Sequence, residues 1–129
     1  MAQINILFLI FNCCQSEQYR PVAPVAPLPA DTNQVCFSTE IFPIIKNNCA
    51  TSNCHNEITQ ASGINLSNYR AIIQDVKPGD GSGSLLYRVT APNYRPRMPP
   101  APKPLLTEEQ RNLIKRWIDE GAKENNNCE

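Results

Sequence analysis

From residue 35 onward, apolar positions recur at helical spacing and are separated by polar turns. Ile41, Phe42, Ile44 and Ile45 give apolar faces to a segment that Ser38 can cap. This predicts a helix to about Asn47, with Pro43 tolerated only in its first turn. Residues 49–65 carry no period and read as loop. Leu66, Tyr69, Ile72, Ile73 and Val76 follow helical spacing, with Ser67 as the expected cap. The stretch Lys77-Pro-Gly-Asp-Gly-Ser-Gly83 breaks that pattern, and Ser84 then opens a short helix carrying Leu85, Leu86 and Val89. Residues 91–106 hold six prolines and cannot form regular helix. Thr107-Glu-Glu-Gln110 is a capping-box signature. It predicts a last helix to about Glu120, with Gln110, Leu113, Ile114, Trp117 and Ile118 along one side and Gly121 ending it. No stretch alternates as a half-buried strand would. The expected fold class is all-α: a small helical domain over residues 35–129.

The residues ahead of this domain have a different character. Residues 15–34 are polar and Pro-rich around Pro21-Val-Ala-Pro24-Val-Ala-Pro27-Leu-Pro29. Proline at every third position favours extended polyproline geometry, the property of a semi-rigid tether. Residues 1–14 read as a signal peptide whose apolar run, 4–11, is far short of the roughly 20 residues that span a bilayer. The run stops at Cys13-Cys14, which resembles bacterial lipoproteins and implies cleavage before one of these cysteines and lipidation of its thiol. A simple secretory leader is the other reading, and either exports the chain. The expected location is the periplasm or cell surface, with attachment to the membrane through an N-terminal lipid.

Composition narrows the function further. The formal net charge is zero, so nothing favours nucleic acid as a partner. Six cysteines in 129 residues point to an oxidising compartment or a cofactor. A domain this small buries little apolar surface and usually needs a staple or a bound group. Cys36 and Cys128 bracket the predicted domain. A disulfide between them would contribute about 3–5 kcal/mol in the chain-entropy account.

The remaining two thiols lie in Cys49-Ala-Thr-Ser-Asn-Cys54-His55. Two thiols followed at once by an imidazole is the chemistry of covalent haem attachment, although the usual pattern is C-x-x-C-H. Residues three apart on an α-helix lie about 60° apart, whereas residues five apart lie about 140° apart. Ala50-Thr-Ser-Asn53 must therefore bulge out as a loop if both sulfurs are to meet one ring edge, and these residue types tolerate that. His55 is the only histidine, and Met98 the only methionine besides Met1. His55 is the expected proximal iron ligand, its second ring nitrogen donating to a carbonyl or water. Met98, held in Arg97-Met-Pro-Pro100, is the expected second axial ligand, stiffened by the two prolines that follow. Such a pair raises the haem potential and fills both axial positions. Phe42, Ile45, Leu66, Leu86, Leu113 and Trp117 are expected to wrap the ring, and Tyr87, Arg88, Arg95 and Arg97 to neutralise its propionates.

These residues, with Ile41-Phe-Pro-Ile-Ile45, Gly63-Ile-Asn-Leu66, Ser84-Leu-Leu-Tyr-Arg88, Arg97-Met-Pro-Pro100, Leu106-Thr-Glu-Glu109 and Trp117-Ile-Asp-Glu-Gly-Ala122, resemble the single-haem c-type cytochrome domains of exported Bacteroidetes and planctomycete proteins. The resemblance covers nearly all of residues 35–128. It implies a cytochrome c fold, thioether bonds at Cys49 and Cys54, and His55 and Met98 on the iron of one haem c. The expected function is that of an electron carrier rather than an enzyme, exchanging electrons with redox proteins or a respiratory complex at the membrane. Two other classes fit the residues less well. One is a haem sensor or peroxidase-like protein with an open iron site. The other is a haem-free module in which Cys49 and Cys54 form a disulfide, or bind zinc with His55 and a thiol from Cys36 or Cys128.

Overall fold

Pro43 shapes the first helical segment. The computed structural model of the chain describes residues 34–126 and 128. In it a π-helical turn over Phe37–Ile41 runs directly into α1, Phe42–Asn48. Proline has no N–H to reach the carbonyl four residues back, and its ring crowds that carbonyl. The turn ahead of it widens accordingly: Ile41 and Phe42 donate five residues back, to the carbonyls of Cys36 and Phe37. Ser38 makes no capping bond here. The orphan donors find more distant partners instead. Val35 N–H donates to Glu120 Oε2 at 2.8 Å and Phe37 N–H to Asn125 Oδ1 at 2.7 Å, while Cys36 N–H uses Glu40. The start of α1 is thus fastened to the C-terminal segment.

The second predicted helix forms later and shorter than its apolar spacing suggests. α2 covers Tyr69–Ile72 and tightens into a 3-10 turn over Ile73–Asp75. Its cap is Asn68, whose Oδ1 accepts from Ala71 N–H at 3.0 Å. Ser67, the expected cap, instead has a buried hydroxyl oxygen with no hydrogen-bond partner. The one-residue shift has a simple cause: Asn68 is extended and accepts from the third residue of the helix, the geometry a cap requires.

α3, Leu85–Arg88, follows the glycine-rich turn. Ser84 precedes it but does not cap it. Its fully buried hydroxyl accepts from Lys77 N–H at 2.7 Å and donates to the Asp80 carbonyl at 2.9 Å, which closes the turn. The turn is also stitched to α4, Glu108–Asp119, by Gly79 N–H on the Ile118 carbonyl and Gly81 N–H on Asp119 Oδ1. A Cβ at Gly81 would meet the Lys115 carbonyl at 2.8 Å, so only glycine fits there. α4 begins with the predicted capping box between Thr107 and Gln110. Gly121, at φ +99°, turns the chain away just past its end.

Among the described residues there is no strand, and the helical fold class expected from the periodicity holds. Ile41, Ile45, Ile72, Ile114, Trp117 and Ile118 form the fully buried centre. The Phe37 ring lies 5.4 Å from that of Trp117 and 5.1 Å from that of Tyr69. Tyr69 Oη donates to the Ala122 carbonyl and Trp117 Nε1 to the Lys123 carbonyl, so the C-terminal segment is bound to this cluster by its backbone. A disulfide joins Cys36 to Cys128, with their Cα atoms 5.8 Å apart. The expected leader over residues 1–14, with Cys13 and Cys14, and all but Gln34 of the tether over 15–34 lie outside the described residues. No helix among the described residues is long and apolar enough to cross a membrane.

Candidate functional site

The loop between Cys49 and His55 takes the path that its spacing demands. Cys49 N–H still donates to the Ile45 carbonyl at 2.8 Å, so this thiol sits on the last turn of α1. The chain then leaves the helix. Cys54 N–H reaches back to the Thr51 carbonyl at 3.0 Å, and His55 N–H to the Cys49 carbonyl at 3.1 Å. Asn53 adopts the left-handed conformation, φ +64°, which asparagine tolerates better than most residues. The four intervening residues loop out, and both sulfurs end on one cavity.

That cavity has a volume of about 370 Å³, is mostly apolar, and is partly open to solvent. Sites for small molecules and cofactors commonly run from about 300 to 1,000 Å³ and have such linings. One wall is the thiol loop with Cys49, Cys54 and His55. Ile64 and Leu66 line it from the segment that follows, and Leu86 and Val89 from α3 and its end. The Pro-rich stretch supplies a further wall, including Tyr94, Met98 and Lys103. The lone imidazole, the two free thiols and the only methionine of the described residues therefore face one space.

His55 is held through one ring nitrogen and through its backbone. Its Nδ1 lies 3.1 Å from the Ala61 carbonyl oxygen. A carbonyl only accepts, so Nδ1 carries the proton and the lone pair of the neutral ring is on Nε2. Ala61 N–H donates to the Cys54 carbonyl at 3.0 Å, and Leu66 N–H to the His55 carbonyl at 2.7 Å. Met98 is anchored by its own N–H, which donates to the Val89 carbonyl at 2.6 Å. Buried Pro99 follows it and restricts its backbone.

The two thiols have opposite surroundings. Burial pushes the Cys49 thiol up to about 11, with the neighbouring Cys54 adding to the shift and Lys103 opposing it. The Cys54 thiol is lowered from its ordinary value, chiefly by its hydrogen bond with Thr51, with Lys103 adding to this against the effect of burial. Burial raises the carboxyl of Asp75, another residue of the cavity wall, while the nearby His55 draws it down.

Several expected ring contacts lie elsewhere. Trp117 does not line the cavity; it is spent on the core cluster with Phe37 and Tyr69. Arg97 is also outside the lining, and its Nη1 donates to the Pro99 carbonyl at 2.6 Å. Arg88 lies over the Tyr94 ring, and Arg95 donates to the Pro92 and Tyr94 carbonyls. Tyr87 faces Arg111 and is not in the lining either. Of the six apolar residues expected around the ring, Leu66 and Leu86 reach the cavity, whereas Phe42, Ile45, Leu113 and Trp117 pack in or against the core. Ile64, Asp75, Tyr94 and Lys103 line the cavity in addition to the expected residues. A signal for Lys103 existed, because it is the only ionisable residue between Arg97 and Glu108.

The donor set suits a covalent haem. Two free thiols that could serve as attachment points lie on one wall, with the imidazole and the thioether on the same apolar space. It suits zinc poorly, because Cys36 and Cys128, the thiols expected to complete a zinc site, are bonded to each other. Among the described residues no three His, Cys, Asp or Glu side chains gather as a metal-binding group. No protein-family model, no curated protein and no solved structure matches the chain.

Proposed function

We propose that the chain is an exported electron-transfer protein with one covalently attached haem c, on a cytochrome c-like helical fold. Cys49 and Cys54 would hold the ring through thioether bonds, and His55 and Met98 would bind its iron. The observation that carries this reading is the convergence of both thiols, the lone imidazole and Met98 on one apolar cavity. When bound, the haem supplies one-electron exchange between ferrous and ferric iron.

The chain's own residues then do three things. The Ala61 carbonyl fixes the His55 ring so that Nε2, not Nδ1, is the metal-binding atom. The Met98 backbone, pinned to Val89, keeps a flexible thioether near a set place. Leu66, Leu86, Val89 and Ile64 give that space an apolar lining, which would disfavour water as an iron ligand relative to the thioether. Export is supported by the Cys36–Cys128 disulfide, a bond at home in oxidising compartments, and by the leader-like start of the sequence. A lipid at Cys13 or Cys14 and the proline-rich tether would let the domain swing between redox proteins at the membrane.

The test is expression with the machinery for c-type cytochrome maturation, followed by a spectrum and an intact mass. The expected result is a sharp α-band on reduction and haem that stays on the chain after denaturation. Purified mature protein in which Cys49 and Cys54 are both fully alkylated without denaturing off any haem would end the proposal.

A further inference from the structure

Lys103 joins the two walls of the cavity. Its Nζ donates to Thr51 Oγ1 at 2.8 Å and lies 3.5 Å from Cys54 Sγ, although it is 52 residues from the first and 49 from the second. Its backbone N–H is fixed on the Pro100 carbonyl at 3.0 Å, and Pro102 and Pro104 flank it. The side chain is half-buried and lines the cavity itself. No carboxylate is paired with it: among the described residues the ion pairs are Lys115–Asp119 and Arg116–Glu120, both on α4 and its end. A fixed cation therefore stands beside the Cys54 sulfur.

We propose that Lys103 is a positioning residue of the haem site, strapping the Ala50–Asn53 loop to the Met98 loop and keeping an unneutralised positive charge where Cys54 joins the ring. The inference rests on the haem reading above and deepens it. The widened thiol spacing makes the strap necessary, since residues 50–53 have left the helix and Thr51 is the loop residue that Lys103 grips. The charge has its own consequence. Oxidation of iron adds a positive charge to the site, and a nearby cation in partly desolvated surroundings opposes that more strongly than it would in water. Lys103 thus favours the ferrous state.

The two roles separate in three variants. Lys103→Met removes both the bond to Thr51 and the charge, Lys103→Gln can keep the bond without the charge, and Lys103→Arg keeps both. Hydrogen exchange on the haem-free full-length chain reads the strap: amides of residues 50–55 should exchange about tenfold faster in Lys103→Met and near the native rate in Lys103→Gln. Redox titration of the haem-loaded protein reads the charge: the midpoint potential should fall in both Met and Gln variants and stay near the native value in Lys103→Arg. Unchanged exchange in Lys103→Met would overturn the strap, and a native potential in Lys103→Gln would overturn the role of the charge. If the native chain itself takes up no covalent haem, the carrier reading fails, and the exchange measurement still decides the strap.

Discussion

The imidazole Nδ1 of His55 lies 3.1 Å from the carbonyl oxygen of Ala61, six residues further along the chain. The short loop between them closes through Ala61 N–H on the Cys54 carbonyl, so the ring and its orienting group belong to one small hydrogen-bonded unit. The protonated nitrogen is therefore settled by the chain itself. In the haem-free protein at neutral-to-alkaline pH, the 15N shifts of His55 should identify the Nδ1–H tautomer. Finding the Nε2–H tautomer would remove the structural basis for ligation through Nε2.

Thiol chemistry offers a second check, since Cys49 is buried and Cys54 is half-exposed. On the folded haem-free chain, iodoacetamide near pH 8 should modify Cys54 well before Cys49, and denaturation should abolish the difference. Equal rates in the folded chain would contradict the placement of Cys49 on the buried last turn of α1.

The raised Cys49 thiol also makes stability depend on pH. Its ordinary value is 9.0 and its folded value about 11, so the unfolded chain releases this proton first. The contribution is intact below about pH 9 and is lost as pH rises from 9 to 11. Two pKa steps correspond to a loss on the order of 2–3 kcal/mol. Urea unfolding of the haem-free protein at pH 8 and pH 11 should show more of this loss in the native chain than in Cys49→Ala.

How far the sequence could be read depended on how local the deciding interaction was. The capping box of Thr107 and Gln110 is contained in four residues and appears as the pattern implies. The bulging of residues 50–53 follows from helix geometry once both sulfurs are required to meet one edge, and the structure makes that loop. The cap of α2 lies one residue beyond Ser67 because Ser67 and Asn68 are both good caps, and only the fold decides which is extended at the helix start. The apolar side of α4 makes Trp117 an expected ring contact, but periodicity cannot say what that side faces. Its real neighbours, Phe37 and Tyr69, are 80 and 48 residues away in sequence. The strap from Lys103 to Thr51 is equally non-local, and no pattern within either loop announces it.

The two adjacent cap candidates should behave in opposite ways on substitution. Asn68→Ala removes the bond to Ala71 N–H and should cost about 1 kcal/mol. In a domain this size that is a drop of about 4–8 °C in melting temperature. Ser67→Ala removes a buried hydroxyl that has no partner, and should leave stability unchanged or slightly higher. Calorimetry of the two variants compares them directly. A larger loss from Ser67→Ala would mean that Ser67 is the working cap.

Met98 gives the sharpest test of the redox reading. Its N–H is tied to Val89, and its thioether is the only one among the described residues, so no other thioether there can replace it. Met98→Ala should leave covalent attachment intact, because neither thiol is touched. It should open one axial position, and ferrous protein should then bind carbon monoxide that the native protein excludes. The midpoint potential should fall as well, since a His/Met pair raises it. Titration with carbon monoxide, followed in the visible spectrum, reads the first effect. If the native protein binds the gas as readily as Met98→Ala, Met98 is not an axial ligand, and the iron site is open.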